Sequence, residues 1–87
     1  MRRIEWTHTF KRDFKRCGTF ESAWIEALWK LANDEELPER FRDHALSGMW
    51  KDHRDCHIKP DLVLIYRIPD DEVLQLVRLG SHSELGL

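Results

Sequence analysis

The sequence predicts an α+β domain: two N-terminal helices packed on one face of a twisted, mainly antiparallel sheet of about four strands. The first observation is that apolar residues recur every three or four positions in the first half of the chain. The second is that the other half contains short runs of apolar and β-branched residues between Pro and Asp turns. The face of the sheet away from the helices is expected to stay open to a ligand.

Length and composition indicate a single domain over residues 1–87. The chain has 87 residues, and separate domains usually need about 100–200 residues each. Its hydrophobic share of 41% and its four Trp exclude an intrinsically disordered chain. A domain this small buries only about 60–65% of its unfolded surface. We therefore expect a thin stability margin and reliance on a partner.

The first predicted helix is short and amphipathic. Phe10 and Phe14 are four positions apart, and basic residues fill the other faces. Thr7 or Thr9 is suited to cap its start, because a threonine oxygen can accept a hydrogen bond from a free backbone N–H. Gly18 follows where a left-handed C-terminal residue is expected.

A second helix is predicted from Phe20 to about Asn33, with Thr19 or Ser22 as its cap. Its apolar stripe consists of Phe20, Ala23, Trp24, Ala27, Leu28 and Leu31. Trp24 and Trp29 are both expected to fill the core.

The remaining elements are predicted strands. A short strand precedes the first helix, and three longer ones follow one another late in the chain because Pro/Asp turns separate them. The predicted ranges are Ile4–Trp6, Phe41–Leu46, Arg54–Ile58, Leu62–Ile68 and Val73–Leu79.

The charge is distributed unevenly along the chain. Residues 1–16 contain six basic and two acidic residues, a net of +4, whereas residues 17–87 carry a net of −6. The total of −2 argues against a freestanding nucleic-acid binder. The basic end can nevertheless approach RNA, with a merely solvated helix face as the equal alternative.

The compartment expected from the sequence is the cytoplasm. Two cysteines are too few for a disulfide-stabilised secreted domain. The longest apolar run, residues 62–66, is far shorter than the roughly 18 residues that cross a membrane. The N-terminus has no apolar segment behind its basic residues, so we predict neither a signal peptide nor a membrane partner.

The histidines are the strongest candidates for chemistry. His57 and Asp61 flank a tight turn, so their side chains are expected to come within reach of each other. A carboxylate beside an imidazole orients the ring and favours its protonated form. By strand parity, Arg78 and His82 are expected on one side of the sheet, where Arg78 can hold a phosphate beside a proton-transferring histidine.

Metal binding and cysteine nucleophiles are not predicted. Cys56 and His57 are adjacent, so in a strand they point to opposite faces, and neither Cys-x-x-Cys nor His-x-x-x-His spacing occurs. No helix N-terminus is predicted near Cys56 to lower the pKa of its thiol. We therefore predict no metal and no cofactor.

Ordered motifs over residues 37–85 resemble those of the YafQ-type mRNA interferases, toxins of the RelE/ParE superfamily. The motifs are Arg42-Asp43-His44-Ala45-Leu46, His57-Ile58-Lys59-Pro60-Asp61, Leu64-Ile65-Tyr66 and Arg78-Leu79-Gly80-Ser81-His82. The resemblance implies the toxin of a type II toxin–antitoxin system, a ribosome-dependent endoribonuclease that cleaves mRNA. It also implies a small dimeric DNA-binding antitoxin, through which alone the toxin would reach operator DNA.

The resemblance assigns the catalytic positions to His44, His57, Asp61 and His82. Metal-independent cleavage uses the 2′-hydroxyl of the RNA as nucleophile, and it needs a base, an acid and a cation near the phosphate. Our hypothesis makes Asp61, helped by His57, the base and His82 the acid, with His44 and Arg78 stabilising charge. Substrate binding is assigned to Arg78, Trp50, Lys51 and Arg54, and ribosome binding to Lys11, Arg12, Lys15 and Arg16.

One position departs from the family pattern, which usually has a large aromatic residue four positions after the last histidine. Gly86 stands there instead. The alternatives are a ParE-like inhibitor of DNA gyrase without catalysis, and a degenerate module that only binds an antitoxin. The histidine set argues against the gyrase inhibitor.

Overall fold

A computed structural model, which describes residues 1–18 and 21–87, contains one five-stranded sheet in the order β1-β5-β4-β3-β2. β1 pairs with β5 in parallel, and the other neighbouring strands are antiparallel. The predicted α+β class is confirmed, with five strands instead of about four. The strands are β1 (Arg3–Trp6), β2 (His44–Ala45), β3 (Arg54–Lys59), β4 (Leu62–Asp70) and β5 (Val73–Gly80).

Three α-helices accompany the sheet in the described part of the chain: α1 (His8–Cys17), α2 (Ser22–Ala32) and α3 (His82–Leu85). Two 3-10 turns, Glu39–Phe41 and Gly48–Trp50, lie on either side of β2. The predicted strand over Phe41–Leu46 is thus reduced to two residues, and α3 was not predicted. Phe20 and Thr19, the predicted start and one predicted cap of the second helix, lie outside the described residues. The other predicted cap, Ser22, is instead the first residue of α2, and Glu21 occupies the N-cap position. None of the described helices is long and apolar enough to cross a bilayer.

The ends of α1 show one correct and one wrong prediction. The Thr7 hydroxyl caps the helix by accepting the N–H of Phe10 at 2.9 Å. Gly18 is not left-handed, since its φ of −73° and ψ of 159° are extended. Glycine is required there for space, because a Cβ at this position would lie 2.3 Å from the ring of Phe14.

The main core lies between the two long helices and the sheet. Trp24 is 4% exposed and belongs to it, but Trp29 is 60% exposed, so its predicted core position is wrong. Trp29 shares the outer face of α2 with Ile25, four residues earlier. The buried members of the core include Phe10, Trp24, Ala27, Leu31, Phe41, Cys56, Leu64, Tyr66, Leu74 and Leu79.

The opposite face of the sheet is not fully open, which corrects another prediction. Val63 and Ile65 of β4 are completely buried beneath Leu85 of α3. Trp50 packs against the same cluster, and its indole N–H donates to the carbonyl of Leu85 at 3.2 Å. The short helix therefore closes one end of this face, and it carries His82 as its first residue.

Candidate active site

A cavity of about 490 Å³ lies where the end of β3, the β3–β4 turn and the start of α3 meet the 3-10 turn Glu39–Phe41. His57 and His82 both line it, as do Arg40, Arg42 and Lys59. Two of the four predicted catalytic residues thus share one concave surface with several basic side chains. This combination suits a phosphate-containing ligand.

Asp61 pairs with His82, although His57 was the partner predicted for it. Its Oδ1 accepts the backbone N–H of His82 at 3.0 Å and lies 2.7 Å from Nδ1 of the same residue. Both hydrogen bonds lower the pKa of Asp61. The prediction failed because His82 begins a helix and does not continue strand β5, which turns the ring toward the β3–β4 turn. The contact engages Nδ1 of the His82 ring, and Nε2 makes no hydrogen bond within residues 1–18 and 21–87.

His57 packs against His82 edge to face, with ring centroids 4.9 Å apart and planes at 67°. Burial is the main reason that the pKa of His57 is lowered, and the positive charges of His82 and Arg42 act in the same direction. The carboxylate of Asp55 opposes these effects. The neutral imidazole of His57 is therefore favoured near pH 7, the form that can accept a proton.

Asp55 is the residue that the sequence analysis missed. It is only 2% exposed, and its burial raises the pKa of its carboxyl group, while His44, His57 and His82 act to lower it. The buried carboxyl group of Asp55 therefore interacts electrostatically with all three of these histidines. Pairing the strand that contains His44 with the strand that contains Asp55 would have indicated this residue, because His44 of β2 lies opposite Asp55 of β3.

His44 does not line the cavity, but Asp55 connects it to the same cluster. Its Nδ1 is hydrogen-bonded to the carbonyl oxygen of Arg42 at 2.8 Å and lies 3.0 Å from Asp55 Oδ1. This carboxylate oxygen receives no hydrogen bond from the described residues. His44 and Asp55 are therefore coupled electrostatically to the His57–His82 pair.

Arg78 does not lie beside His82, where the sequence predicted it. Its guanidinium pairs with Asp13 of α1, with Nε 2.7 Å from Oδ2. Asp13 is 5% exposed and also accepts the N–H of Leu79 at 3.0 Å. Strand parity predicted Arg78 beside His82 as if both belonged to one strand, but β5 ends at Gly80 and the backbone then turns into α3. Arg78 consequently joins a helix to the sheet and does not line the cavity.

The other predicted substrate-binding residues also lie outside the cavity lining. Trp50 covers the buried end of the sheet, as described above. Arg54 contacts the carboxylate of Asp43 at 3.4 Å, and the hydroxyl of Tyr66 donates to the same carboxylate. Lys51 is exposed after the second 3-10 turn.

The four basic residues predicted to bind the ribosome lie on α1, and they differ in the contacts that their side chains make. Arg16 pairs with Asp13 at 3.1 Å and with Glu84 of α3 at 2.7 Å. The Lys11 ammonium lies 5.7 Å above the ring of Trp6. Arg12 and Lys15 are exposed on the same helix.

The cysteines and the metal ligands give no further site in the described residues. Cys56 is fully buried, and this burial raises the pKa of its thiol far above the ordinary value. In residues 1–18 and 21–87, no three His, Cys, Asp or Glu side chains are grouped so as to hold a metal ion.

Known proteins resemble this chain in sequence and in fold. The family model described as the bacterial toxin of type II toxin–antitoxin system, YafQ, matches residues 2–86. The mRNA interferase toxin YafQ of Escherichia coli is 32% identical over 97% of this chain and 95% of its own length. The crystal structure of a copper-bound mutant toxin from Helicobacter pylori has a TM-score of 0.90, with 43% identity over 98% of this chain and 99% of that one. YafQ in the crystal structure of the E. coli DinJ–YafQ complex has a TM-score of 0.81, with 31% identity over 98% of both chains. With 85 of its 87 residues matched, the chain belongs to the YafQ family of toxins from bacterial type II toxin–antitoxin systems.

Proposed function

We propose that this chain is an mRNA interferase, an endoribonuclease that cuts messenger RNA without a metal ion. The observation that carries the proposal is the Asp61–His82–His57 arrangement in a basic cavity. Two imidazoles in contact can divide the acid and base roles that RNA cleavage needs. The name of the E. coli relative, an mRNA interferase toxin, supports the same activity. A ParE-like gyrase inhibitor has no use for such a cluster.

The proposed reaction is an internal transfer of the phosphoryl group. The 2′-oxygen of one nucleotide attacks the adjacent phosphorus, so that a new P–O2′ bond forms and the P–O5′ bond breaks. The base takes the proton of the 2′-hydroxyl, and the acid gives a proton to the leaving 5′-oxygen. The products are a 2′,3′-cyclic phosphate and a free 5′-hydroxyl.

The contacts favour a division of roles different from the one based on sequence. Asp61 already accepts two hydrogen bonds from His82, and its lowered pKa makes it a weak base. His57 has a lowered pKa and a neutral ring that can accept a proton, so we assign the base to it. His82 is the acid, oriented through Nδ1 by Asp61 so that Nε2 faces the leaving group. His44 and Asp55 support this pair electrostatically.

The proposal includes the ribosome as the place of action. The exposed basic side chains of α1, Arg12 and Lys15 with Lys11 and Arg16, would contact ribosomal RNA through its phosphates. The net charge of −2 makes the free toxin a weak RNA binder, so the ribosome would supply most of the grip on the message.

The proposed inhibitor is a cognate antitoxin, a small dimeric DNA-binding protein that alone would bring the toxin to operator DNA. Support comes from the family to which the chain belongs and from the DinJ–YafQ complex of E. coli. Trp6, Ile25 and Trp29 are each more than half exposed, at 52%, 56% and 60%. Ile25 and Trp29 lie four residues apart on one face of α2, and adjoining exposed apolar side chains are typical of a surface that a partner covers.

The test is cleavage of ribosome-bound mRNA by purified toxin that has been treated with EDTA and then exchanged into the Mg²⁺ buffer that intact ribosomes need, with the cuts mapped by primer extension. Loss of a general acid or base typically lowers a rate about 10²–10⁴-fold, so His57→Ala and His82→Ala should each fall in this range. His53→Ala is the matched control, because this ring bonds to the Lys51 carbonyl and lies outside the cavity. Native cleavage rates in both cavity variants would overturn the proposal, and accumulation of cleaved DNA would point to the gyrase inhibitor.

A further inference from the structure

We propose that Arg42 binds the scissile phosphate of the RNA and stabilises the charge that develops on its oxygens. The inference rests on the proposed nuclease function, and it gives to Arg42 the role that the sequence analysis gave to Arg78. Four features of Arg42 support it: its position, its lack of an ion pair among the described residues, its backbone conformation and its effect on His57.

The position of Arg42 connects all three histidines of the site. It lines the cavity together with His57 and His82. Its carbonyl oxygen is hydrogen-bonded to Nδ1 of His44 at 2.8 Å. A phosphate in the cavity would therefore lie between this guanidinium and the two imidazoles assigned to proton transfer.

Arg42 differs from the two other basic residues of the cavity lining, because the side chains of those two are ion-paired. Arg40 pairs with Glu26 of α2, and the Lys59 ammonium lies 2.7 Å from a carboxylate oxygen of Glu21. Arg42 is exposed and makes no ion pair with a carboxylate in residues 1–18 and 21–87. Arg42 is therefore the cavity cation whose charge is available to a ligand.

The backbone of Arg42 is left-handed, with φ 49° and ψ 41°, where the residue caps the turn Glu39–Phe41. A residue with a Cβ pays about 1 kcal/mol or more for this conformation, whereas glycine adopts it freely. Local structure alone would favour glycine. An arginine kept at a strained position beside a cavity is typical of a functional side chain.

The charge of Arg42 also reaches His57, where it contributes to the lowered pKa of the imidazole. A guanidinium near the base keeps that base neutral and ready to take the 2′-hydroxyl proton. The planar, five-donor fork of arginine can bond two phosphate oxygens at once. Its donors would strengthen their bonds as negative charge builds up on these oxygens during attack.

The experiment compares Arg42→Gln, Arg42→Lys and Arg42→Gly with Arg3→Gln in the ribosome-bound mRNA cleavage assay under single-turnover conditions. Removal of one donor to a developing oxyanion typically lowers the rate about 10²–10³-fold, which is the loss expected for Arg42→Gln. Arg42→Lys should recover part of the rate because it restores the charge. Arg42→Gly should lose as much as the Gln variant although it relieves the backbone, and thermal melting will verify that it is folded. The control Arg3→Gln should stay within about threefold, because Arg3 is paired with Glu5 and does not line the cavity.

The outcomes separate this inference from the function on which it rests. If the wild-type chain cuts mRNA and the Gln or Gly variant cuts as fast, the role of Arg42 is refuted while the nuclease stands. A Lys variant no better than the Gln variant would also refute it, since charge would then not be the cause. If the wild-type chain does not cut at all, the proposed function itself fails.

Discussion

Asp13 is the residue whose loss should most weaken the fold near the site. Its buried carboxylate accepts Arg78 Nε at 2.7 Å and the N–H of Leu79 at 3.0 Å, and it also pairs with Arg16 at 3.1 Å. These contacts fasten α1 to the end of β5, two residues before α3 begins. In Asp13→Asn the amide oxygen can still accept one N–H, but the partly buried guanidinium of Arg78 loses its counter-charge.

The expected loss in the free energy of unfolding follows from the burial of the Asp13 and Arg78 side chains. Asp13 is 5% exposed and the Arg78 side chain 26%. Breaking a buried ion pair from one side typically costs about 3–5 kcal/mol, and the partial exposure of Arg78 places the expected loss near 3 kcal/mol. A domain of this size loses about 4–8 °C in Tm for each kcal/mol, so Tm should fall by about 15 °C. Such a loss is a large part of a marginal total stability of about 5–15 kcal/mol.

The assay is thermal unfolding followed by circular dichroism, with Glu5→Gln as the matched control. Glu5 also pairs with an arginine, Arg3, but the two side chains are 45% and 65% exposed, so the loss of this pair should change stability by less than about 1 kcal/mol. The pKa of Asp13 is lowered in the folded state, so its contribution is present above about pH 4 and disappears as the pH falls through the folded pKa. The difference between wild type and Asp13→Asn should therefore shrink below pH 4. Equal effects of the two substitutions at pH 7, or a difference that does not depend on pH, would refute the reasoning.

Three further predictions concern the site and the core. Asp55→Asn should lower the pKa of His57 further, because the lost carboxylate favours the imidazolium. The acid limb of the pH–rate profile should then move to lower pH, and an unchanged limb would exclude the coupling. Tyr66→Phe should cost about 1.5–3 kcal/mol in urea unfolding, because a buried hydroxyl no longer donates to the carboxylate of Asp43. Cys56 should resist iodoacetamide in the native protein and react only after unfolding, as its buried thiol has a raised pKa; rapid native labelling would contradict its burial.

The fold was predictable where turn residues bound runs of apolar and β-branched residues. The runs Leu62–Ile68 and Val73–Leu79 located β4 and β5 to within two residues at each end. The parallel pairing of β1 with β5 was not predictable, because a four-residue strand has no sequence signal for its partner. Trp29 was misplaced because a tryptophan was assumed to be buried, although it lies outside the helical stripe that contains Trp24.

Three of the residues assigned to the candidate site lie together in the fold, but their contacts with one another were not predictable. The family motifs pointed to His57, Asp61 and His82, which the fold brings together. Which imidazole Asp61 would meet depended on the backbone after Gly80. Sequence parity assumed a continued strand, whereas Ser81 and Glu84 form a capping box that starts a helix there. The Ser-x-x-Glu signature was present but spans a single turn, too short to stand out as a helix.

A helix of four residues is not stable by itself, so the position of His82 must depend on contacts with the rest of the fold. Glu84 pairs with Arg16 at 2.7 Å, and the carbonyl of Leu85 accepts the indole N–H of Trp50. Gly86, with φ 73°, ends the helix in a left-handed conformation that a large aromatic residue would adopt only under strain. The missing aromatic of the family pattern is thus replaced here by a helix cap. It follows that substitutions at Glu84 or Gly86 should reduce RNA cleavage by displacing the His82 ring, even though neither residue lines the cavity.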